Sequence, residues 1–173
     1  MSRGTTTIER SPAPLPVITS KSTPRSVLGR VKTSYPRLQH LLVPLDFSGQ
    51  SRQALRYAVP IAQKFSAKIH LVHVLKPVGK AELAELPHLK HAAIKRLGEM
   101  TDLLPARLRA GNAVLTGRPA EQILQLAQKN NIDLIVLTTK GRTGLRRALV
   151  GSTAEHIMRH APCPVISIRR RSP

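Results

Sequence analysis

Aromatic side chains are almost absent from this chain of 173 residues: it has no tryptophan, two tyrosines and two phenylalanines. Its core must therefore be aliphatic, drawn from the Leu, Ile, Val and Ala within a hydrophobic fraction of 41%. The shortage also argues against nucleic-acid binding through stacked bases, and no recognisable nucleic-acid-binding module is present. Acidic residues are scarce as well, 9 against 28 Lys and Arg, which leaves a formal net charge of +19. Such an excess attracts nucleic acid, anionic membrane or phosphorylated ligands, although a generally basic, solvated surface is the simpler account. Cys163 is the only cysteine, which excludes an intramolecular disulfide and fits a reducing compartment. No apolar run approaches the length of a membrane span and the first residues lack a secretory apolar region, so a cytoplasmic protein is expected. Also missing are a Gly-x4-Gly-Lys-Ser/Thr loop and a Gly-x-Gly-x2-Gly fingerprint, which removes the main support for P-loop hydrolysis and dinucleotide redox chemistry.

The length suits one domain with a proper core and is short for two. Residues 1–36 differ in kind from the rest. They contain Ser11-Pro12-Ala13-Pro14-Leu15-Pro16 and the basic residues Arg3, Arg10, Lys21, Arg25, Arg30 and Lys32, against the single acid Glu9. Without sustained periodicity, this stretch is predicted to be a disordered basic extension, either a solubilising tail or an electrostatic tether to a polyanion. A folded domain over residues 37–170 and a short tail at 171–173 complete the division.

The first strand is read at Leu41 to Leu45, ending at Asp46, with Pro44 near the strand end where a missing N–H does little harm. A helix capped by Ser48 or Ser51 follows, with Ala54, Leu55, Ala58, Ile61, Ala62 and Phe65 on its inner face and a kink or early end expected at Pro60. Lys68 to Leu75 is a second strand, apolar on both faces. The stripe Leu86, Leu89, Ala93, Leu97 and Met100 marks one helix, whose start Pro87 places near Leu86. Ala113 to Leu115 is a short third strand, and Gly117-Arg118-Pro119 opens a helix with Ile123, Leu124 and Ala127 inward and Asn130-Asn131 as its stop. Leu134 to Leu137 and Val165 to Ile168 are the last two strands, separated by a helix from Ser152 to about His160. Five strands alternating with four helices imply an α/β fold, a parallel sheet with helices on both faces.

The loop between the fourth strand and the last helix carries Gly141, Gly144 and Gly151 with Lys140, Arg142, Arg146 and Arg147. A cationic, glycine-bearing loop that feeds a helix N-terminus offers backbone N–H groups and positive potential to an anion, most naturally phosphate. Ser152-x-x-Glu155 has the spacing of a capping box at that helix. His156, His160 and Cys163 have a spacing that could hold a metal, but with no fourth ligand an ordinary helix face is the better reading.

The spacing Thr138-x2-Gly141-x9-Gly151-Ser152, followed by His160-Ala161-Pro162-Cys163-Pro164-Val165-Ile166-Ser167-Ile168-Arg169, resembles the universal stress protein family. The resemblance implies an open five-stranded parallel sheet of order 3-2-1-4-5, Rossmann-like and of the adenine nucleotide alpha hydrolase type. It also implies ATP, with or without Mg2+, bound where the ends of strands one and four meet. Pro44 and Asp46 would then lie along the nucleoside, with the Asp46 carboxylate accepting from a ribose hydroxyl, and Val74 would frame adenine through its main chain. Gly141 and Gly151 would shape the phosphate loop, Ser152 and Thr153 would bind phosphate oxygens, and Lys140 and Arg142 would neutralise charge. Each has a plainer alternative: Asp46 as the cap of its own turn, Val74 as core, Ser152 as a helix cap. Thr138 stands where the ATP-binding pattern has its first glycine, and a β-branched residue makes close approach of a ligand less assured there. No general base or nucleophile pair is legible, so slow ATP hydrolysis is the most that is expected. Two other functions are open: a dimeric protein-interaction module without ATP, paired through Val165 to Ile168 as the family pairs its fifth strands, and polyanion binding by residues 1–36.

Overall fold

Runs such as Leu41-Leu42-Val43 and Leu134-Ile135-Val136-Leu137 leave no polar face, so a sheet built from them has to be covered on both sides. The computed structural model, which describes residues 37–77, 79–139 and 150–169, has that arrangement. Strands β1 (His40–Pro44), β2 (Lys68–Leu75), β3 (Arg109–Thr116), β4 (Leu134–Thr138) and β5 (Val165–Ile168) form one sheet in the order β3-β2-β1-β4-β5. Every neighbouring pair is parallel. The connecting helices are α1 (Gly49–Phe65), α2 (Gly79–Ala84), α3 (Leu86–Asp102), α4 (Pro119–Lys129) and α5 (Ser152–His160). No helix among the described residues is long and apolar enough to cross a membrane.

Pleating divides each strand between two cores. Leu41, Val43, Ile69 and Leu71 face Ala54, Ala58 and Ala62 of α1 and Ala93, Leu97 and Met100 of α3. Leu42, Val72, Ile135 and Leu137 face Ile123 and Ala127 of α4 and Ala154 and Ile157 of α5. Adjacent residues of β1 thus serve opposite layers, as a period of two requires. Alanines at the contact face of α1 let that helix lie close to the sheet, which is how an almost aromatic-free chain fills its interior.

Local chemistry sets most of the boundaries. The Ser48 hydroxyl accepts from the Ser51 N–H at 3.1 Å and caps α1, and Ser66 ends that helix in the left-handed region at φ 54°. Pro60 does not end α1, which continues to Phe65. The proline is exposed, so the carbonyl it leaves without a helical donor is open to water. Phe65, expected inside, is 57% exposed. It is the last residue of α1, and the chain reverses at Ser66 before any further cover is gained. The stretch from Gly79 to Asp102 forms two helices where one was expected, with Pro87 in the first turn of α3 and Leu89 on the exposed side. β3 is also longer than its apolar centre, because pairing with β2 extends it to Arg109.

At the amino ends of the strands, one carboxylate ties β1 to the approach of β4: Asp133 Oδ2 accepts from the N–H groups of Gln39 and His40, each at 2.8 Å. His40 Nδ1 and His70 Nε2 lie 3.1 Å apart beside it. Burial, with His40 adding to it, lowers the His70 pKa below its ordinary 6.5. As pH falls the unfolded chain therefore takes up this proton before the folded chain does. The folded state keeps its full stability above about pH 6.5 and loses some of it below, toward the lowered folded pKa.

Two outcomes test this account. Ile135→Ala should lower unfolding free energy by about 2–5 kcal/mol and Phe65→Ala by no more than about 0.5 kcal/mol, read from urea midpoints. Thermal melts of the wild type should shift downward from pH 7.5 to pH 5.5, and His70→Gln should reduce the shift; an equal shift in the variant would assign the acid sensitivity to another group.

Candidate functional site

β1 and β4 are neighbours in the sheet, yet the chain leaves them toward opposite layers, from β1 to α1 and from β4 toward α5. The crossovers therefore diverge and leave a crevice beyond the carboxyl ends of the strands. A cavity of about 340 Å³ lies there. Pro44, Asp46, Val74, Thr138, Gly151, Ser152 and Thr153 all line it. Lys140, Gly141 and Arg142, together with Gly144, Arg146 and Arg147, lie outside the described residues. Ser51, His73, Lys76, Pro119 and Thr139 line the same cavity, and no sequence pattern marks any of them as a site residue.

The β1–α1 connection forms one wall. Asp46 Oδ1 accepts from the Ser48 N–H at 2.9 Å, so this carboxylate does cap its own turn while also lining the cavity. Phe47 has φ 62°, a left-handed conformation that a bulky residue holds only when its surroundings impose it. Two side chains impose it here. His73 Nδ1 donates to the Leu45 carbonyl at 2.6 Å and its ring stacks on Phe47 with centroids 4.2 Å apart. The Arg96 guanidinium lies 4.7 Å from the centre of the Phe47 ring and donates to the Phe47 carbonyl at 3.3 Å. His73 and Arg96 therefore hold both sides of Asp46 from two other elements of the fold. Because a carbonyl can only accept, the His73 proton sits on Nδ1.

The facing wall is the start of α5. Gly151 donates to the Thr139 carbonyl at 2.6 Å and occupies the N-cap position, and its own carbonyl accepts from the Glu155 N–H at 2.9 Å. The expected capping box is therefore not formed. Anchoring Gly151 on Thr139 moves the helix start by one residue, so Ser152 is the first helical residue and no side chain caps the helix. Glu155 turns instead to Arg159 at 3.0 Å. The first-turn N–H groups of Ser152, Thr153 and Ala154 have no acceptor within the helix, and all three residues line the cavity. Their dipoles make this end of α5 positive and suited to an anion.

Neither Thr138 nor Gly151 sits in a conformation that only glycine can adopt. Thr138 is the last residue of β4, a position that suits a β-branched side chain. Gly151 has φ −75° and ψ 149°. A Cβ at Gly151 would stand 3.4 Å from the Thr139 carbonyl oxygen, an ordinary van der Waals contact, so the site tolerates a small side chain there and only a longer one would enter the cavity that Gly151 lines.

The C-terminal spacing of histidine and cysteine builds no such site. His156 and His160 stack with centroids 4.3 Å apart, and His160 Nδ1 donates to the His156 carbonyl at 2.9 Å. Burial raises the Cys163 pKa, and the charge of Asp133 adds to that rise. Among the described residues no three of His, Cys, Asp and Glu gather where they could hold a metal ion.

Comparison with known proteins agrees with the arrangement. The model of the universal stress protein family matches residues 37–169. A universal stress protein of Methanocaldococcus jannaschii is 32% identical over 140 residues, covering 75% of this chain and 81% of the relative. The solved structure of the universal stress protein UspA from Lactobacillus plantarum is 31% identical, with a TM-score of 0.64 over 78% of this chain and 99% of its own. A universal stress protein solved in complex with cAMP has a TM-score of 0.53 at 21% identity, over 78% of this chain and 98% of its own, and so bears on the fold. Sheet order, switch-point cavity and sequence match converge, and the chain belongs to the universal stress protein family.

Proposed function

We propose that the cavity binds an adenine nucleotide, ATP before others, and that the domain works as a nucleotide-responsive stress or signalling module without fast catalysis. The observation that carries this reading is the pairing across one cavity of a carboxylate, Asp46, with an uncapped helix N-terminus, that of α5. A nucleotide needs both: an acceptor for ribose hydroxyls and an electropositive cradle for phosphate. The volume of about 340 Å³ falls in the range of small-molecule sites.

In this reading Pro44 and Val74 bound the nucleoside, with the Val74 main chain framing the base. Ser152 and Thr153 bring hydroxyl and N–H donors to the phosphates, and Lys76 adds a positive charge at the exposed rim. Lys140 and Arg142 are assigned to the same phosphates from their place in the cationic, glycine-bearing loop of the sequence. Mg2+, if it accompanies the nucleotide, is held by the phosphates themselves. The cAMP complex of a structural relative supports an adenine nucleotide in this fold.

A second reading concerns assembly. Among the described residues β5 pairs with β4 alone and stands at the sheet edge, where Ile166 is 39% exposed. An edge strand with an exposed branched apolar residue favours pairing with a second copy through Val165 to Ile168. Light scattering at micromolar concentration should then give a dimer, and a monomer would remove this reading. Polyanion binding by residues 1–36 rests on composition alone, since they lie outside the described residues.

Calorimetry on protein freed of any co-purified ligand should give one ATP per chain. Asp46→Asn keeps the oxygen that caps the turn but removes the charge, and should weaken binding roughly tenfold or more while the fold is retained. Gly151→Leu should abolish binding. A folded Gly151→Leu protein with unchanged affinity would reject the site.

A further inference from the structure

The Asp46 carboxylate is held through one peptide group, the bond between Phe47 and Ser48. The N–H of that group is the Ser48 donor, from which Asp46 Oδ1 accepts at 2.9 Å. The oxygen of the same group is the Phe47 carbonyl, to which the Arg96 guanidinium donates at 3.3 Å. In a trans peptide the N–H and C=O point in opposite directions, so a donor that fixes the oxygen also aims the N–H. Arg96 of α3 and Asp46 after β1 thus stand at the two ends of one rigid plane.

That plane needs a hold. Phe47 reaches it at φ 62°, a left-handed conformation that a bulky side chain leaves when nothing opposes the change. His73 opposes it by stacking on the Phe47 ring, but His73 also lines the cavity and so serves turn and cavity at once. Arg96 lies outside the cavity lining and touches the turn at Phe47, by the carbonyl and by the ring, whose centre is 4.7 Å from the guanidinium. None of the three ion pairs among the described residues engages Arg96, and its helix is anchored on the sheet by Ala93 and Leu97 on either side of it. We infer that Arg96 is a positioning residue of the nucleotide site: through the Phe47–Ser48 peptide it orients the Asp46 carboxylate for the ribose, and so gives helix α3 control of affinity from outside the cavity. This role rests on the cavity being a nucleotide site, as proposed above.

The chemistry suits that role. Donation to the carbonyl polarises the peptide and makes its N–H a stronger donor to the carboxylate. A planar guanidinium can meet both the carbonyl oxygen and the ring face, which a compact ammonium does less well. The same turn sets the start of α1, where the Ser48 hydroxyl accepts from the Ser51 N–H at 3.1 Å and Ser51 lines the cavity. Linkage makes the effect reciprocal: whatever the Arg96 contact adds to nucleotide affinity, a bound nucleotide returns as a tighter hold on Arg96.

Calorimetry of the full chain with ATP and with 2′,3′-dideoxy-ATP tests the inference, because ATP alone of the two offers ribose hydroxyls to Asp46. Arg96→Met keeps an apolar stem against Phe47 but cannot donate, and Arg96→Lys restores a donor and a charge. Arg96 is exposed, and circular dichroism checks that both variants are folded. Arg96→Met should weaken ATP binding roughly five- to tenfold and change 2′,3′-dideoxy-ATP binding by less than about twofold, while Arg96→Lys should bind ATP more tightly than Arg96→Met. In ligand-free protein, exchange of the Ser48 amide followed by NMR should quicken roughly fivefold in Arg96→Met. ATP affinity equal to that of the wild type, an equal loss for both nucleotides, or an unchanged Ser48 exchange rate would each overturn the positioning role and leave the nucleotide site standing. A wild type that binds neither nucleotide would reject the site itself, and the role of Arg96 with it.

Discussion

The parallel pairing of β1 with β4 is the contact on which the rest depends. Leu41 pairs with Leu134 and Leu42 with Ile135, and all four side chains are buried. The Asp133 carboxylate secures the same junction by accepting from the backbone at Gln39 and His40. Since a parallel pair cannot be joined by a tight turn, each strand must leave through a long crossover. At β1 and β4 those crossovers diverge, and the crevice between them is a consequence of topology before any side chain is chosen.

Side chains then make the crevice specific. Phe47 in a left-handed conformation turns the chain sharply after Asp46, at a local cost that the His73 and Arg96 contacts offset. The opposite wall depends on one backbone bond, from Gly151 to Thr139, which decides where α5 begins and therefore which N–H groups face the cavity.

Of the +19 formal excess, part stands on α1, away from the cavity. Phe47 is buried in the core, whereas α1 packs on the sheet through alanines and leaves Tyr57 and Phe65 exposed.

Local patterns were readable directly. Both-face apolar runs, the Ser48 cap, the Asn130 stop and the Pro119 start depend on residues within a turn or a strand of one another, and the strands and most helices follow from them. The family spacing carried the reading further, to seven residues that do line one cavity. Where the reading failed, the deciding atoms lay far apart in the chain or at an element's end. The capping box at Ser152 gave way because the Thr139 carbonyl holds Gly151, and Phe65 is outside because the helix ends there. His73 looked like one residue of a two-faced strand, and only its approach to Leu45, 28 positions earlier, makes it part of the site wall. The sequence by itself determined where the strands and most of the helices lie and, apart from Phe65 and Leu89, which faces they bury, since periodicity and capping are local. Tertiary structure alone decided how the cavity walls are held, because that depends on contacts that form only when distant segments meet.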